Sequence, residues 1–126
     1  MCWMCDNSSL TMADYRAWAV ATIAEKGWCL QYVEPEDDDP SLVYTVGLTG
    51  VGKPELVAEG LTIADAADLN EVARGCISGE VWPGDTVLLG RRRYLLVPEP
   101  DISPLYLALD MYGGDVRALR VQASRR

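Results

Sequence analysis

The apolar positions of the chain alternate between helical and extended spacing. Long stretches repeat apolar side chains every three or four residues, and shorter runs rich in β-branched and aromatic residues lie between them. In chain order, the pattern predicts helix 12–26, strands 28–33, 43–46 and 55–58, a helix between Thr62 and Gly79, strands 86–89 and 94–97, a short helix after Ser103, and a last strand 116–121. Strands 28–33 and 43–46 are predicted to pair as one hairpin, and strands 86–89 and 94–97 as another.

Polar residues predict where the helices begin. Thr11 and Asp14 form a capping-box pattern before the first helix, and Thr62 repeats the pattern before the second. Ser103 followed by proline predicts the cap of the third helix. Gly27 is a natural stop for the first helix.

The resulting order, αβββαββαβ, places strands next to strands rather than strictly alternating them with helices. It predicts a single α+β domain over residues 1–126, with a mostly antiparallel sheet of five or six strands and two or three helices. Residues 1–10 are predicted to be an irregular, cysteine-containing arm.

Charge and composition narrow the classes of function. The net charge is −8, and residues 1–60 hold ten acids against three bases, so we expect no nucleic-acid partner. The chain has no histidine, which removes the usual general base near neutral pH and any Ser-His-Asp or Cys-His site within the chain. The sequence therefore favours a protein that is not an enzyme.

The same reading predicts a cytoplasmic protein with no membrane partner. The first residues lack the basic and apolar regions of a secretory signal, and no apolar run approaches the roughly 20 residues of a membrane span. The cysteines are then expected to be reduced or metal-bound. Cys29 and Cys76 fall at apolar positions and are expected to be small core residues.

The segment from Gly47 to Lys53 matches the spacing of a phosphate-binding loop, G-x-x-x-x-G-K, but lacks its chemistry. Pro54 stands where the motif needs a hydroxyl for magnesium, and too few residues follow for a helix whose N-terminus would cradle phosphate. We therefore expect a glycine-rich turn between two strands.

Three further groups of residues are candidates for function. A small molecule or nucleotide would bind in a pocket near the turn, lined by Tyr44, Gly47, Gly52, Lys53 and Glu55. An enzyme would use Lys53 and Glu55 for acid–base chemistry. A basic protein partner would bind an acidic loop, centred on Glu36, Asp37, Asp38 and Asp39, and a solvated loop is the alternative.

Cys2 and Cys5 have the spacing of a metal knuckle or a redox pair. Zinc, with Asp6 as a further ligand, is one interpretation, and a reduced pair in the arm is the other; no cofactor is otherwise expected.

The chain resembles domain of unknown function 4262, a family of small bacterial, especially actinobacterial, and phage proteins. The resemblance rests on MCWMCD at residues 1–6, YTVGLT at 44–49 and PELV at 54–57, and it covers residues 1 to about 121. Relatives commonly carry histidine where this chain has Lys53. The resemblance implies an intracellular protein and no particular reaction.

These observations favour a non-enzymatic binding protein that acts on a protein partner, in the manner of a phage-encoded modulator of a host or defence protein. Binding or sequestration of a small molecule or nucleotide is the first alternative, and an enzyme using Lys53 and Glu55 is the second. A glycine-rich turn in a mixed sheet would also suit a homodimer formed through an edge strand.

Overall fold

Three helices and six strands make up the described part of the computed structural model, which covers residues 11–33, 41–59, 63–82, 84–89 and 91–123. The helices are α1 (Met12–Lys26), α2 (Ile63–Ser78) and α3 (Tyr106–Tyr112). The strands are β1 (Cys29–Val33), β2 (Leu42–Val46), β3 (Glu55–Glu59), β4 (Thr86–Leu89), β5 (Arg92–Glu99) and β6 (Ala118–Ala123). The observed order of helices and strands along the chain confirms the predicted order αβββαββαβ.

The six strands form one sheet in the order β1-β2-β3-β6-β5-β4. All neighbouring pairs are antiparallel except β3 and β6, which are parallel. The predicted α+β class with a mostly antiparallel sheet is confirmed. Both predicted hairpins, β1 with β2 and β4 with β5, are also confirmed.

Helices cover both faces of the sheet. One core cluster packs α2 against one face, and a second packs α1 and α3 against the other. Strands β2 and β3 lie in the middle of this sandwich and are buried at nearly every position, as expected when both faces of a strand are covered. Strand β1, by contrast, forms an edge of the sheet.

The first helix begins and ends as the sequence predicts. The Thr11 hydroxyl accepts a hydrogen bond from the Asp14 N–H at 3.2 Å, and the Asp14 carboxylate accepts one from the Thr11 N–H at 3.0 Å. Gly27 takes the left-handed conformation, with φ +97°. The second predicted cap, at Thr62, lies outside the described residues.

The predicted cap of α3 at Ser103 is wrong. The helix begins at Tyr106, and Leu105 precedes it without a side-chain cap. Ser103 instead donates through both its hydroxyl and its backbone N–H to one oxygen of Asp101, at 2.6 and 3.1 Å. Because this local turn uses the serine as a donor, its hydroxyl does not serve a helix N-terminus.

Cys29 and Cys76 are buried, unpaired thiols, which confirms their predicted place in the core. Burial, with a smaller contribution from the Glu55 carboxylate, raises the pKa of Cys29 to about 12. A thiol held in its neutral form is a poor nucleophile.

Candidate functional site

The turn between β2 and β3 is compact and leads directly into a strand. Gly47 opens it with φ +127°, and a Cβ there would stand 2.9 Å from the carbonyl oxygen of Gly27. A single 3-10 turn follows at Thr49–Val51, and β3 starts immediately after Pro54. The helix that a phosphate-binding loop needs is replaced here by an extended strand.

The inside of this turn is filled by the carboxylate of Glu55, which is fully buried. One oxygen accepts from the Thr45 hydroxyl at 2.8 Å and from the Leu48 N–H at 3.2 Å. The other accepts from the N–H groups of Gly47 and Thr49 at 3.3 and 2.9 Å and from the Thr49 hydroxyl at 2.5 Å. A run of backbone N–H groups that converges on one anion is an anion-binding nest.

The protein therefore supplies its own anion to the donors that a bound phosphate would use. A phosphate could reach them only by displacing Glu55, which would leave a carboxylate buried without its hydrogen bonds. The Glu55 carboxylate in the nest is thus a stronger obstacle to nucleotide binding at this turn than the absence of a hydroxyl at Pro54.

Lys53 lies on the outer side of the same turn. Its ammonium group stands 4.6 Å from the centre of the Trp82 ring, within the range of a cation–π contact. Trp82 is 54% exposed. Lys53 thus contacts an exposed aromatic ring, while Glu55 faces the interior of the turn, so the two form no acid–base pair.

Tyr44 is a core residue. It is buried beneath α3, and its hydroxyl accepts a hydrogen bond from the Leu107 N–H at 3.0 Å. Burial raises the pKa of Tyr44 above its ordinary value. Of the five residues predicted to bind a ligand, only Gly52 and Lys53 are not buried.

The remaining predicted site residues, Glu36 to Asp39 and the pair Cys2 and Cys5, lie outside the described residues. Among the described residues, no three Cys, Asp or Glu side chains are grouped as a metal site would require. In the sequence, the acidic residues fall between β1 and β2.

A groove of about 620 Å³, here named the edge groove, runs along the start of β1 between α1 and α2. Helix α1 lines it with Trp18, Thr22 and Lys26, which are spaced four residues apart. Such spacing aligns side chains along one face of a helix. Trp28, which precedes β1, and Leu30 of β1 form the floor.

Helix α2 forms the other wall of the edge groove, with Ala67, Asn70 and Arg74 among its lining residues. The Trp28 indole N–H donates to the Asn70 side-chain oxygen at 2.9 Å and so ties this wall to the floor. Arg74 also forms an ion pair with Glu71. The lining therefore holds two cations, counting Lys26, against one acid.

A second cluster of titratable groups joins α2 to β5. Arg92 donates to both oxygens of Asp68, at 2.5 and 3.1 Å, and the Tyr94 hydroxyl donates to Asp68 at 2.6 Å. Hydrogen bonds from Arg92, against the opposing effect of burial, lower the pKa of Asp68. This cluster connects helix to sheet and does not line the edge groove.

Sequence reasoning missed the edge groove, although part of its signal was present. Trp18 and Thr22 share a helical face with the core residues Tyr15 and Ala19, so their spacing indicates only a core-facing surface. The far wall comes from a helix more than thirty residues later. No local pattern links Trp28 to Asn70.

A family model described as "Domain of unknown function (DUF4262)" matches residues 22–124 of the chain. No curated protein and no solved structure matches it significantly. No helix in the described part of the chain has the length and apolar character needed to span a membrane.

Proposed function

Because the chain belongs to the DUF4262 family, whose description assigns no activity, we propose a function from its structure: a non-enzymatic protein that binds a partner polypeptide in the edge groove. The observation that carries this proposal is the groove itself, an opening of about 620 Å³ between two helices, alongside the outer strand of a sheet. Edge strands leave backbone donors and acceptors for another chain to use.

The composition of the groove also supports binding of a polypeptide. Trp18 and Trp28 supply aromatic surface, and tryptophan is among the residues most enriched where partners bind. Lys26 and Arg74 supply donors for backbone carbonyls or carboxylates. The acidic residues Glu36 to Asp39, which follow β1 in the sequence, would add attraction for a basic partner.

The chemistry around Glu55 makes an enzyme the weaker interpretation. Its carboxylate is held by five donors inside the turn, and Lys53 faces the other way, over Trp82. A general base has to reach the proton that it removes. Glu55 could do so only if the turn opened, so we assign it to structure.

A small organic ligand is the second candidate for the groove, since its volume falls within the usual range for such pockets, about 300 to 1,000 Å³. A ligand of this kind would raise the melting temperature of the protein by an amount that grows with the logarithm of its concentration relative to its dissociation constant.

The proposal is tested by selecting binders from a displayed library of random peptides. Enriched peptides are then measured against two variants, each of which adds one arginine to an exposed alanine of a helix. Ala67→Arg places the new side chain in the edge groove, whereas Ala24→Arg places it on α1 at a position that does not line the groove.

We expect the selected peptides to bind wild type and Ala24→Arg alike and to bind Ala67→Arg about tenfold or more weakly, because a filled groove excludes them. A library that yields no binder, or binders indifferent to Ala67→Arg, would contradict the proposed function. A small-molecule library assayed by melting temperature, with the same two variants, tests the second candidate.

A further inference from the structure

The cations in the lining of the edge groove have hydrogen-bond donors to spare. Lys26 contributes an ammonium group, and none of the ion pairs among the described residues includes it. Arg74 bonds Glu71 through one of its nitrogens, in a pair whose two side chains are both more than half exposed. The guanidinium carries further N–H groups that can bind a second acceptor.

Asn70 adds a donor to the wall formed by α2. Its side-chain oxygen accepts the Trp28 indole N–H at 2.9 Å, so its NH₂ group is directed away from Trp28. Among the described lining residues, the one carboxylate, Glu71, is already bonded to Arg74. A ligand of the groove therefore has to supply acceptors, and a carboxylate forms the strongest hydrogen bonds with lysine and arginine.

The two cations lie toward one end of the edge groove. Helices α1 and α2 approach each other at their C-terminal ends, where the Ile77 side chain lies 3.8 Å from the position that a Cβ on Gly27 would take. Lys26 is the last residue of α1, and Arg74 lies one turn from the end of α2. Trp18 lies two turns back along α1, or about 12 Å along the helix axis, and so marks the apolar end.

The lining of the edge groove has the opposite sign of charge to the chain as a whole. The net charge of the chain is −8, whereas the described lining holds two cations against one acid. An acidic segment is repelled by the protein at long range and is attracted only where cations are concentrated. The charge of the lining therefore adds specificity as well as affinity.

We propose that the edge groove binds an extended partner segment in which an aspartate or glutamate lies four residues from a bulky apolar residue. The carboxylate binds Lys26 and Arg74, and the apolar side chain packs against Trp18 and Ala67. Four residues of extended chain span about 13 Å and place both side chains on the same side, which matches the two ends of the groove. This inference rests on the proposed function and adds to it the chemistry of the bound segment.

The test uses the full chain and two displayed libraries of peptides about nine residues long. Both libraries contain the same uncharged residues, but one allows only aspartate and glutamate as charged residues and the other only lysine and arginine. Groove-dependent binders are those that lose affinity for Ala67→Gln, which fills the groove without adding charge. We expect such binders from the acidic library and not from the basic one.

A double-mutant cycle locates the carboxylate of the bound peptide. Exchanging the acid of the best peptide for its amide should weaken binding to wild type about tenfold, measured by fluorescence anisotropy at low salt. The same exchange should change binding to the variant with both Lys26→Gln and Arg74→Gln by less than about twofold. Substituting Arg91→Gln and Arg93→Gln together, at exposed positions outside the groove, matches the change of charge and should keep the tenfold effect.

The spacing is tested by moving the acid of the best peptide by one residue. In an extended segment, this change turns the carboxylate to the opposite side from the apolar residue. We expect the moved peptide to bind wild type about tenfold more weakly, and equal binding of the two peptides would contradict the spacing.

The inference is overturned if the basic library yields groove-dependent binders as readily as the acidic one. It is also overturned if the variant with Lys26→Gln and Arg74→Gln keeps the full effect of the carboxylate. In either case the proposed function stands, because peptides that lose affinity for Ala67→Gln still bind in the groove. If neither library yields such a peptide, the proposed function fails together with this inference.

Discussion

Replacing Glu55 with glutamine should destabilise the protein far more than one lost charge would suggest. Glutamine keeps the shape of the side chain but exchanges one acceptor oxygen for an NH₂ group. In one orientation that group faces the Leu48 N–H, and in the other it faces the N–H groups of Gly47 and Thr49. A threonine hydroxyl can rotate and become an acceptor, but a backbone N–H cannot.

At least one buried N–H is therefore left without an acceptor, which costs about 1–3 kcal/mol, and the surviving bonds lose their charge assistance. We expect the free energy of unfolding of Glu55→Gln to fall by about 3 kcal/mol. For a domain of this size that corresponds to a drop of about 10 °C in melting temperature.

Urea denaturation followed by circular dichroism measures this change, with Glu59→Gln as the control. Glu59 lies on the same strand but is exposed, and its ion pair with Arg120 is at the surface; such pairs contribute up to about 1 kcal/mol. If Glu55→Gln and Glu59→Gln unfold at the same urea concentration, the carboxylate does not hold the turn and our reasoning about it is wrong.

Three further predictions concern Gly47 in the turn, Asp68 on α2 and Gln31 on β1. Gly47→Ala should lower the unfolding free energy by about 2–4 kcal/mol in urea, since its Cβ would stand 2.9 Å from the Gly27 carbonyl oxygen at a positive φ; a loss below about 1 kcal/mol would contradict the packing. Hydrogen bonds from Arg92 lower the pKa of Asp68 in the folded state below the ordinary value of 3.8. The contribution of ionised Asp68 to the free energy of unfolding is therefore fully present above pH 3.8 and is lost as the pH falls through the folded pKa. Asp68→Asn should therefore flatten the acid limb of stability against pH, and an unchanged limb would contradict this. Gln31→Met should raise the unfolding free energy by about 1 kcal/mol, because the side-chain oxygen of Gln31 is buried without a hydrogen-bond partner among the described residues; a loss of stability would show that it is satisfied.

Local patterns in the sequence predicted most of the fold. The capping box at Thr11, the stop at Gly27 and the two hairpins depend on residues close together in the chain, and each is confirmed. The predicted start of α3 is wrong because Ser103 can either cap a helix or form a local turn with Asp101, and it forms the turn.

The candidate site could be predicted only in part, since its decisive contacts join distant residues. Pro54 predicts that no helix follows the turn, but no local sequence pattern indicates that the Glu55 side chain points back into the turn. The edge groove depends on Trp28 meeting Asn70, forty-two residues later. Such contacts follow from the order of strands and helices in space, which local sequence patterns do not reveal.

Residue-resolved amide hydrogen exchange, with and without a peptide selected for binding to the edge groove, tests the proposed function most directly. Binding in the edge groove should protect amides of β1, between Cys29 and Val33, at alternate positions, while the amides of β4 at the opposite edge of the sheet stay unchanged. Protection at β4, or at the exposed surface around Lys53 and Trp82 with β1 unaffected, would contradict it.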